Sequence, residues 1–182
     1  MRKIQLPFQM EELLALRAGE ELLLSGEIIT ARDAAHLRLV DLLKAGKELP
    51  VSLENTTIYY VGPTPPKPGA VIGAAGPTSS YRMDELAIQL MPLGVQAMIG
   101  KGQRSKAYGQ SLRQHRAVYL ATYGGAGALL SSCITESQVI AFEDLGAEAI
   151  RRMKIQDFPV IVAMDTRGGD LYRGDSYEER ND

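Results

Sequence analysis

Three basic residues stand beside turns or helix starts, where a folded chain can hold an anion. Arg32 lies in TARDAAHLR, Arg82 in GPTSSYRMD and Lys101 in MIGKG. Hydroxyl groups at Thr78 and at the two serines that follow it adjoin Arg82. A guanidinium matches the shape of a carboxylate, and glycines allow a ligand to approach the backbone closely. The pattern predicts a pocket for a small dianionic or polyanionic ligand.

Simpler interpretations of the same stretches remain open at this point. Arg32 and His36 are four residues apart, so they share one face of a helix near its start. A solvated first turn would explain them, although acidic residues are the ones normally favoured there. In GPTSSYRMD, a plain Ser/Thr helix cap would contribute about 1 kcal/mol and require no ligand.

Other common chemistries do not fit the residues. A phosphate-binding loop around Lys101 would need a glycine where Val95 stands and a hydroxyl residue where Gly102 stands. YGGAGALL has Leu130 in place of the third glycine of a dinucleotide-binding fingerprint. The single cysteine, Cys133, can neither form an internal disulfide nor hold a metal centre by itself. The residues therefore predict half of an active site.

Length and composition are those of an ordinary globular chain. The chain has 182 residues, 45% of them hydrophobic, and a formal net charge of −2. Such a charge gives no general reason to expect a nucleic acid or an acidic membrane as partner. No apolar run reaches the roughly 18 residues of a spanning helix, and no signal-peptide core precedes the first segment. We expect a cytoplasmic chain with one domain at residues 1–168 and a charged, flexible tail at 169–182.

Strand-like and helix-like segments alternate along the chain. Helices are predicted in MEELLALRAGE, from an N-cap at Thr30 to Gly46, over roughly Met83 to Leu93, and in KAYGQSLRQH, GALLSSC and AEAIRRMKI. Strands are predicted in ELLLSGEIIT, TTIYYV, GAVIGAA, QAMIG, AVYLATY, QVIAFE and FPVIVAMDT. This alternation predicts an α/β fold with a mostly parallel sheet, and the β-rich first third predicts a second sheet layer.

Seven stretches resemble, in the same order, motifs of one enzyme family. TARDAAH, YYVGPTP, GPTSSYRMD, MIGKG, GGAGALL, EDLGAEAI and DFPVIVAMDT are similar to the β subunit, or C-terminal domain, of iron–sulfur class I fumarases. L(+)-tartrate dehydratase β subunits are similar as well. The resemblance extends from about Leu6 to Gly168. Ser79 departs from a usual threonine, and Arg151 from a usual aromatic residue.

The resemblance implies a fold, a reaction and a partner. The fold is a swivelling β/β/α three-layer domain with a mostly parallel central sheet. The reaction is the reversible hydration of fumarate to L-malate. A [4Fe–4S] cluster bound by three cysteines of a separate α subunit acts as the Lewis acid, usually in an α2β2 assembly. The β chain is then expected to bind no cluster and to be inactive alone.

The resemblance also assigns roles to residues at matching positions. Arg32, Arg82 and Lys101 bind the substrate carboxylates, and Thr78 abstracts the proton. His36 acts in catalysis or orients Arg32. A threonine hydroxyl is a weak base, so this role needs a lowered pKa and a relay to another group. Two alternatives stay open: a dehydratase for L(+)-tartrate or another hydroxy-diacid, and a non-catalytic anion-binding module.

Overall fold

Strands and helices alternate through the computed structural model, which describes residues 1–123 and 125–173. The strands are β1 (Arg2–Gln5), β2 (Glu21–Thr30), β3 (Thr57–Tyr59), β4 (Ala97–Gly100), β5 (Val118–Ala121), β6 (Ile134–Ala141) and β7 (Ile150–Met164). The α-helices are α1 (Met10–Ala15), α2 (Asp33–Lys44), α3 (Asp84–Leu90), α4 (Lys106–His115) and α5 (Gly127–Ser132). Short 3₁₀ helices lie at Tyr81–Met83, Met91–Leu93 and Glu143–Glu148. No helix in these described ranges is long and apolar enough to cross a membrane.

One seven-stranded sheet contains all the strands named above, in the order β1-β2-β3-β4-β5-β7-β6. Neighbours from β1 to β5 are parallel, whereas β7 is antiparallel to each of its partners. This confirms the predicted α/β class with a sheet of mostly parallel strands.

The sheet also closes on itself, which the expected three-layer description does not include. One edge of β7 pairs with β2, and the other pairs first with β6 and then with β5. β7 spans 15 residues and pairs with both β2 and β5. β2, β3, β4, β5 and β7 therefore form a ring of five strands.

Two hydrophobic clusters lie on opposite faces of the strands. Successive side chains of a strand point to opposite faces. Tyr59, Ile99 and Leu120 accordingly belong to one cluster, with β1 and α1. Their neighbours Ile58 and Met98 belong to the other, which is covered by α2, α3 and α4. The helices that carry the candidate site therefore rest on a single face.

The predicted helix in AEAIRRMKI is wrong, because most of this segment, from Ile150 onward, is the first part of β7. Ile150 begins the strand, and the buried Met153 and Ile155 alternate with the exposed Lys154 and Gln156. The segment pairs with both β2 and β6. Two flanking strands override the weak helix propensity of a short segment.

The predicted strand in GAVIGAA is also wrong. This segment forms a loop that folds back on the preceding proline-rich residues. The amide of Thr64 donates to the carbonyl of Ala74 at 3.0 Å, and the amide of Gly73 donates to the carbonyl of Thr64 at 3.1 Å. The amide of Ala75 donates to the carbonyl of Gly127 at 3.2 Å. Local partners thus satisfy backbone groups that a strand would pair with a neighbour.

Thr30 is not the N-cap of α2, as the sequence predicted. The helix begins at Asp33 with Arg32 in the cap position. The hydroxyl of Thr30 instead donates to the carbonyl of Ala149 at 3.3 Å and accepts from the amide of Arg151 at 3.0 Å. These bonds join the end of β2 to the start of β7, and Arg32 takes the N-cap position of α2.

The segment expected to be a flexible tail is ordered at its start. The amide of Leu171 donates to the carbonyl of Ala163 at 2.8 Å, and Asp170 forms an isolated bridge with Met164. Residues 174–182, the remainder of the predicted tail, lie outside the described residues.

Candidate active site

The candidate residues follow the carboxyl ends of three adjacent parallel strands. Arg32 comes two residues after β2, and Lys101 comes directly after β4. Thr78 and Arg82 lie in the connection that follows β3. The carboxyl ends of parallel strands meet at one edge of a sheet, where ligands of α/β proteins commonly bind. The topology therefore brings distant parts of the chain to the same edge.

Asp33 lies between the two arginines. Its carboxylate accepts hydrogen bonds from Nε of Arg82 at 3.1 Å and from Nη2 of Arg82 at 3.2 Å. Nη2 of Arg32 lies 3.7 Å from Oδ2 of the same carboxylate. The hydrogen bond from Arg82 holds the pKa of Asp33 below its ordinary value. The carboxylate is therefore ionised at neutral pH and is shared by both guanidinium groups.

Thr78 contacts Arg82 through its side chain. Nη2 of Arg82 donates to Oγ1 of Thr78 at 3.1 Å. The amide of Thr78 donates to the carbonyl of Tyr60 at 2.9 Å, which fixes its backbone just beyond β3. A cationic donor on the hydroxyl oxygen stabilises the deprotonated form of that hydroxyl. The contact is therefore of the kind that a threonine needs to accept a proton.

The side chain of Arg32 makes ion pairs but no hydrogen bond with the described residues. Its buried Nε has no hydrogen-bond partner there and lies 3.8 Å from Oε1 of Glu148. A Cβ placed on Gly62 would lie 2.9 Å from Cδ of Arg32, so this glycine leaves room for the side chain. The guanidinium thus retains donors that a carboxylate ligand could use.

His36 lies beneath this surface and is fully buried. Its Nδ1 lies 2.9 Å from the carbonyl oxygen of Arg32, which also accepts from the amide of His36. Because a carbonyl only accepts, Nδ1 carries the hydrogen. Nε2 has no hydrogen-bond partner in the part of the chain that the structure describes, and the ring packs edge-on against Tyr60. Burial lowers the pKa of His36 to about 4, so the ring is neutral at pH 7.

Lys101 adjoins the Thr78 segment through its backbone. Its amide donates to Oγ of Ser80 at 3.1 Å, and its carbonyl accepts from the amide of Ser80 at 3.2 Å. Ser79 forms a parallel bridge with Lys101. A side chain on the preceding Gly100 would collide with Ser80 and Tyr60. The glycine of MIGKG is therefore needed for the close approach of the two segments.

A buried ion pair that was not predicted from the sequence anchors the loop after Lys101. Nε of Arg104 donates to Oδ1 of Asp84 at 2.5 Å, and the amide of Ser105 donates to Oδ2 at 2.6 Å. The guanidinium carbon lies 3.6–5.0 Å from the centroids of three aromatic rings, those of Tyr60, Tyr108 and Tyr119. Cation–π contacts of this kind stabilise a desolvated guanidinium.

The acidic partners of the predicted basic residues were not predicted from the sequence. Neither Asp33 nor Glu148 was expected to contact an arginine. Both lie in stretches already singled out, TARDAAH and EDLGAEAI. An acidic residue inside a motif rich in basic residues was therefore the available signal. Arg104 gave no comparable signal, because a charged residue in a loop is usually exposed.

The residues at the site do not fit an iron–sulfur cluster. Guanidinium and ammonium groups offer only hydrogen-bond donors, whereas such clusters are held mainly by cysteine thiolates. Within residues 1–123 and 125–173 there is no group of three or more His, Cys, Asp or Glu side chains that could hold a metal ion. Cys133 is partly buried and packs against the hydrophobic core. The site is suited to an anion.

The side chains at the centre of the site are partly open to solvent. Arg32, Asp33 and Arg82 have exposed side-chain fractions of 29%, 37% and 41%. Fixed cations at an open surface can bind an anion, but they leave one side of it in water. Enzymes commonly exclude water from the reacting groups. The arrangement is therefore that of one wall of a site.

Comparison with known proteins shows which family the chain resembles. Over 177 residues, the chain is 36% identical to the anaerobic class I fumarate hydratase of Escherichia coli K12. The matched region covers 94% of this chain and 32% of that protein. The chain is 34% identical over 169 residues to mitochondrial fumarate hydratase 1 of Leishmania major, covering 92% and 31% of the two chains. The chain thus spans about a third of these relatives.

A shorter relative matches over most of its own length. The chain is 36% identical over 163 residues to the Methanocaldococcus jannaschii protein named "Putative L(+)-tartrate dehydratase subunit beta", covering 86% of this chain and 84% of that one. A sequence model of the family described as Fumarase C-terminus matches residues 1–174. The match to the family model covers the elements that carry Arg32, Thr78, Arg82 and Lys101. The chain belongs to the Fumarase C-terminus family, whose relatives here are hydro-lyases.

Proposed function

We propose that this chain is the β component of a hydro-lyase that reversibly hydrates fumarate to L-malate. The observation that carries the proposal is the position of Arg82, whose guanidinium is bonded to both Asp33 and Thr78. It joins a candidate proton acceptor to a cluster of cations, as removal of a proton next to a carboxylate requires. The names of the fumarate hydratase relatives support the same reaction.

The swivelling β/β/α description is part of this proposal. Two observations support it: the hydrophobic clusters lie on opposite faces of the strands, and α2, α3 and α4 cover only one of them. The ring of five strands adds a closure on the other side. In this description the basic residues at the edge of the helical layer face a second protein.

Arg32, Arg82 and Lys101 are proposed to hold the substrate carboxylates. The donors of Arg32 have no hydrogen-bond partner among the described residues, and Lys101 follows the neighbouring strand end. A dicarboxylate needs two positive anchors, and a guanidinium can bind a carboxylate with two parallel hydrogen bonds. Binding at both ends orients the carbon that loses its proton toward Thr78.

Thr78 is proposed to accept that proton at Oγ1 during malate dehydration. As the proton leaves, negative charge accumulates on the adjacent carboxylate, and nearby cations stabilise this state more than the substrate. Arg82 stabilises a deprotonated Thr78 by donating to its oxygen at 3.1 Å. A buried, neutral His36 supports this arrangement by holding the carbonyl of Arg32, which is a positioning role.

A second protein surface is proposed to complete the site. In the family that the chain resembles, an α subunit binds the [4Fe–4S] cluster that serves as Lewis acid for the departing hydroxyl group. The partial exposure of Arg32 and Arg82 supports a partner placed over them. We propose an α2β2 assembly, in which this chain holds no cluster and has no activity by itself.

Reconstitution tests the proposal. The purified chain, assayed alone with L-malate, is expected to give no fumarate. Anaerobic mixing with a cluster-loaded class I fumarase α subunit is expected to produce turnover. The control is the Arg82→Ala chain mixed with the same partner. Turnover by the isolated chain, or equal turnover with the control chain, would contradict the proposal.

L(+)-tartrate or another hydroxy-diacid is the second candidate substrate. The observation that favours it is the match to the Methanocaldococcus protein, which covers 84% of a chain of similar length. The same cations would bind either diacid, so selectivity depends on the hydroxyl contacts. The ratio of kcat/KM for L-malate to that for L-tartrate in the assembled enzyme decides between them. A ratio above 1 supports fumarate hydratase activity, and one below 1 supports the alternative.

A further inference from the structure

The hydrogen-bond donors of Arg82 are mostly occupied within this chain. An arginine has five N–H donors: one on Nε and two on each terminal nitrogen. Nε donates to Oδ1 of Asp33 at 3.1 Å. Nη2 donates to Oδ2 of Asp33 at 3.2 Å and to Oγ1 of Thr78 at 3.1 Å. Only the two hydrogens of Nη1 have no partner among the described residues.

The two arginines differ in how many of their N–H donors are hydrogen-bonded within the chain. Asp33 occupies the edge of Arg82 formed by Nε and Nη2, so a ligand cannot take that edge without displacing the aspartate. Arg32, in contrast, approaches the same carboxylate only to 3.7 Å and forms no hydrogen bond with it. Arg82 can therefore offer a ligand no more than Nη1 while Asp33 is in place.

The bidentate bond also fixes the direction of the remaining Nη2 hydrogen. A guanidinium is planar, so anchoring Nε and one hydrogen of Nη2 determines where the second hydrogen of Nη2 points. That hydrogen points to Thr78. Asp33 stays ionised because the bond to Arg82 lowers its pKa. Its negative charge also reduces the repulsion between the two arginines.

We propose that Asp33 is a positioning residue that holds Arg82 against Thr78 and leaves only Nη1 of Arg82 for the substrate. Asp33 itself need not touch the substrate. It holds the guanidinium so that the oxygen of the proton acceptor always has a cationic donor. The inference rests on the proposed function, because it assigns Asp33 a part in the activation of Thr78.

A purely structural role for Asp33 would look different in experiment. Asp33 lies in the first turn of α2, where a negative charge stabilises any helix. Such a role would lower stability but would not depend on Arg82. The chain offers a matched control in Asp144, whose carboxylate also accepts two hydrogen bonds from one arginine, Arg38, at 2.8 Å each. Arg38 also lies in α2, but neither Arg38 nor Asp144 belongs to the candidate site.

A double-mutant cycle in the reconstituted enzyme separates these roles. Asp33→Asn is expected to lower kcat by about 10–100-fold, the scale of a small misplacement of reacting groups, with little change in KM. In an Arg82→Lys background, which cannot form the bidentate bond, the same substitution is expected to change kcat by less than about 3-fold. Asp144→Asn is expected to leave both kinetic constants unchanged. An equal loss in both backgrounds would overturn the inference.

A second measurement uses the isolated chain and requires no activity. The Nε–H signal of Arg82 in ¹H–¹⁵N spectra can be assigned by its disappearance in Arg82→Lys. Asp33→Asn is expected to accelerate its hydrogen exchange by about 10-fold or more, whereas Asp144→Asn leaves it unchanged. Unchanged exchange in Asp33→Asn means that the aspartate does not hold Arg82, and it overturns the inference.

The two proposals can fail separately. If Thr78→Ala leaves turnover intact, the proposed role of Thr78 as proton acceptor is wrong, whatever the exchange measurement gives. If Thr78→Ala and Arg82→Lys both reduce kcat but Asp33→Asn does not, the reaction stands and the role of Asp33 falls.

Discussion

Arg82 donates a hydrogen bond from Nη2 to the hydroxyl oxygen of Thr78 at 3.1 Å, and the two residues are four positions apart. A four-residue spacing is typical of a shared helical face, but the 3₁₀ helix there begins only at Tyr81. The contact is therefore held by Asp33, a residue 49 positions away from Arg82. It makes Arg82 the link between the anion-binding cluster and the candidate base.

Replacing Arg32 and replacing Arg82 are expected to change different kinetic constants. Arg32→Ala should raise KM for the diacid about 10–100-fold, because it removes open charge-assisted hydrogen bonds to the substrate. Arg82→Ala should mainly lower kcat, because it removes the donor on Thr78. Steady-state kinetics of the reconstituted enzyme measures both. Arg38→Ala, on the same helix as Asp33 but paired with Asp144, is the control. Identical KM and kcat changes for Arg32→Ala and Arg82→Ala would contradict the division of roles.

Gly62→Ala is expected to disturb Arg32 from a distance in sequence. The added Cβ would lie 2.9 Å from Cδ and 3.0 Å from Nη1 of Arg32, so the guanidinium must shift. We expect KM to rise several-fold with little loss of stability, because the side chain is partly exposed. Gly76→Ala is the matched control, since its Cβ would meet backbone atoms only at 3.5 Å or more. If both variants show the parent KM, Gly62 does not govern the position of Arg32.

His36 is expected to make stability depend on pH. Its pKa of about 4 in the folded chain lies below the ordinary value of 6.5, because the ring is buried. The unfolded chain therefore binds the proton more tightly, so stability present above pH 6.5 is lost as pH falls toward 4. The slope reaches about 1.4 kcal/mol per pH unit. Urea unfolding should show this loss in the parent chain and not in His36→Asn.

The comparison of slopes isolates the histidine from the carboxylates. Aspartates and glutamates titrate in both chains and cancel in the difference between them. Asparagine can still donate a hydrogen bond to the carbonyl of Arg32, so the variant should fold. Parallel curves for the two chains between pH 6.5 and 4 would show that His36 is not held neutral.

Arg104 is expected to stabilise the folded chain at the loop that carries Lys101. Arg104→Met should lower the free energy of unfolding by about 3–5 kcal/mol, because it leaves the buried Asp84 without its cationic partner. Adding Asp84→Leu to that variant should restore part of the loss. Urea unfolding of the isolated chain measures both. Arg38→Met, which removes an exposed pair, should leave the midpoint unchanged, and an equal loss there would refute the special role of the buried pair.

The sequence was sufficient to predict the strands with clear alternation. ELLLSGEIIT, QAMIG and AVYLATY form strands as predicted, since their apolar residues have one buried arrangement available. AEAIRRMKI was misassigned because its helix-like composition is outweighed by pairing with two strands that are distant in sequence. Ring closure likewise depends on such long-range pairing, which no local pattern reveals.

The interior of the site was harder to predict than its motifs. Arg32, Arg82 and Lys101 could be selected because cations beside glycines and hydroxyls indicate anion binding. The partnership of Asp33 with Arg82 could not, since it depends on how α2 lies relative to the segment after β3. The burial of His36 follows from the same packing, in which its ring meets Tyr60.

Turnover of L-malate by the reconstituted enzyme carrying Thr78→Ala tests whether Thr78 is the proton acceptor. We expect a loss in kcat of about 100-fold or more, the scale of removing a general base, while Thr78→Ser retains most of the activity because it keeps the hydroxyl. A Thr78→Ala enzyme with the kcat of the parent would show that the proton is accepted elsewhere.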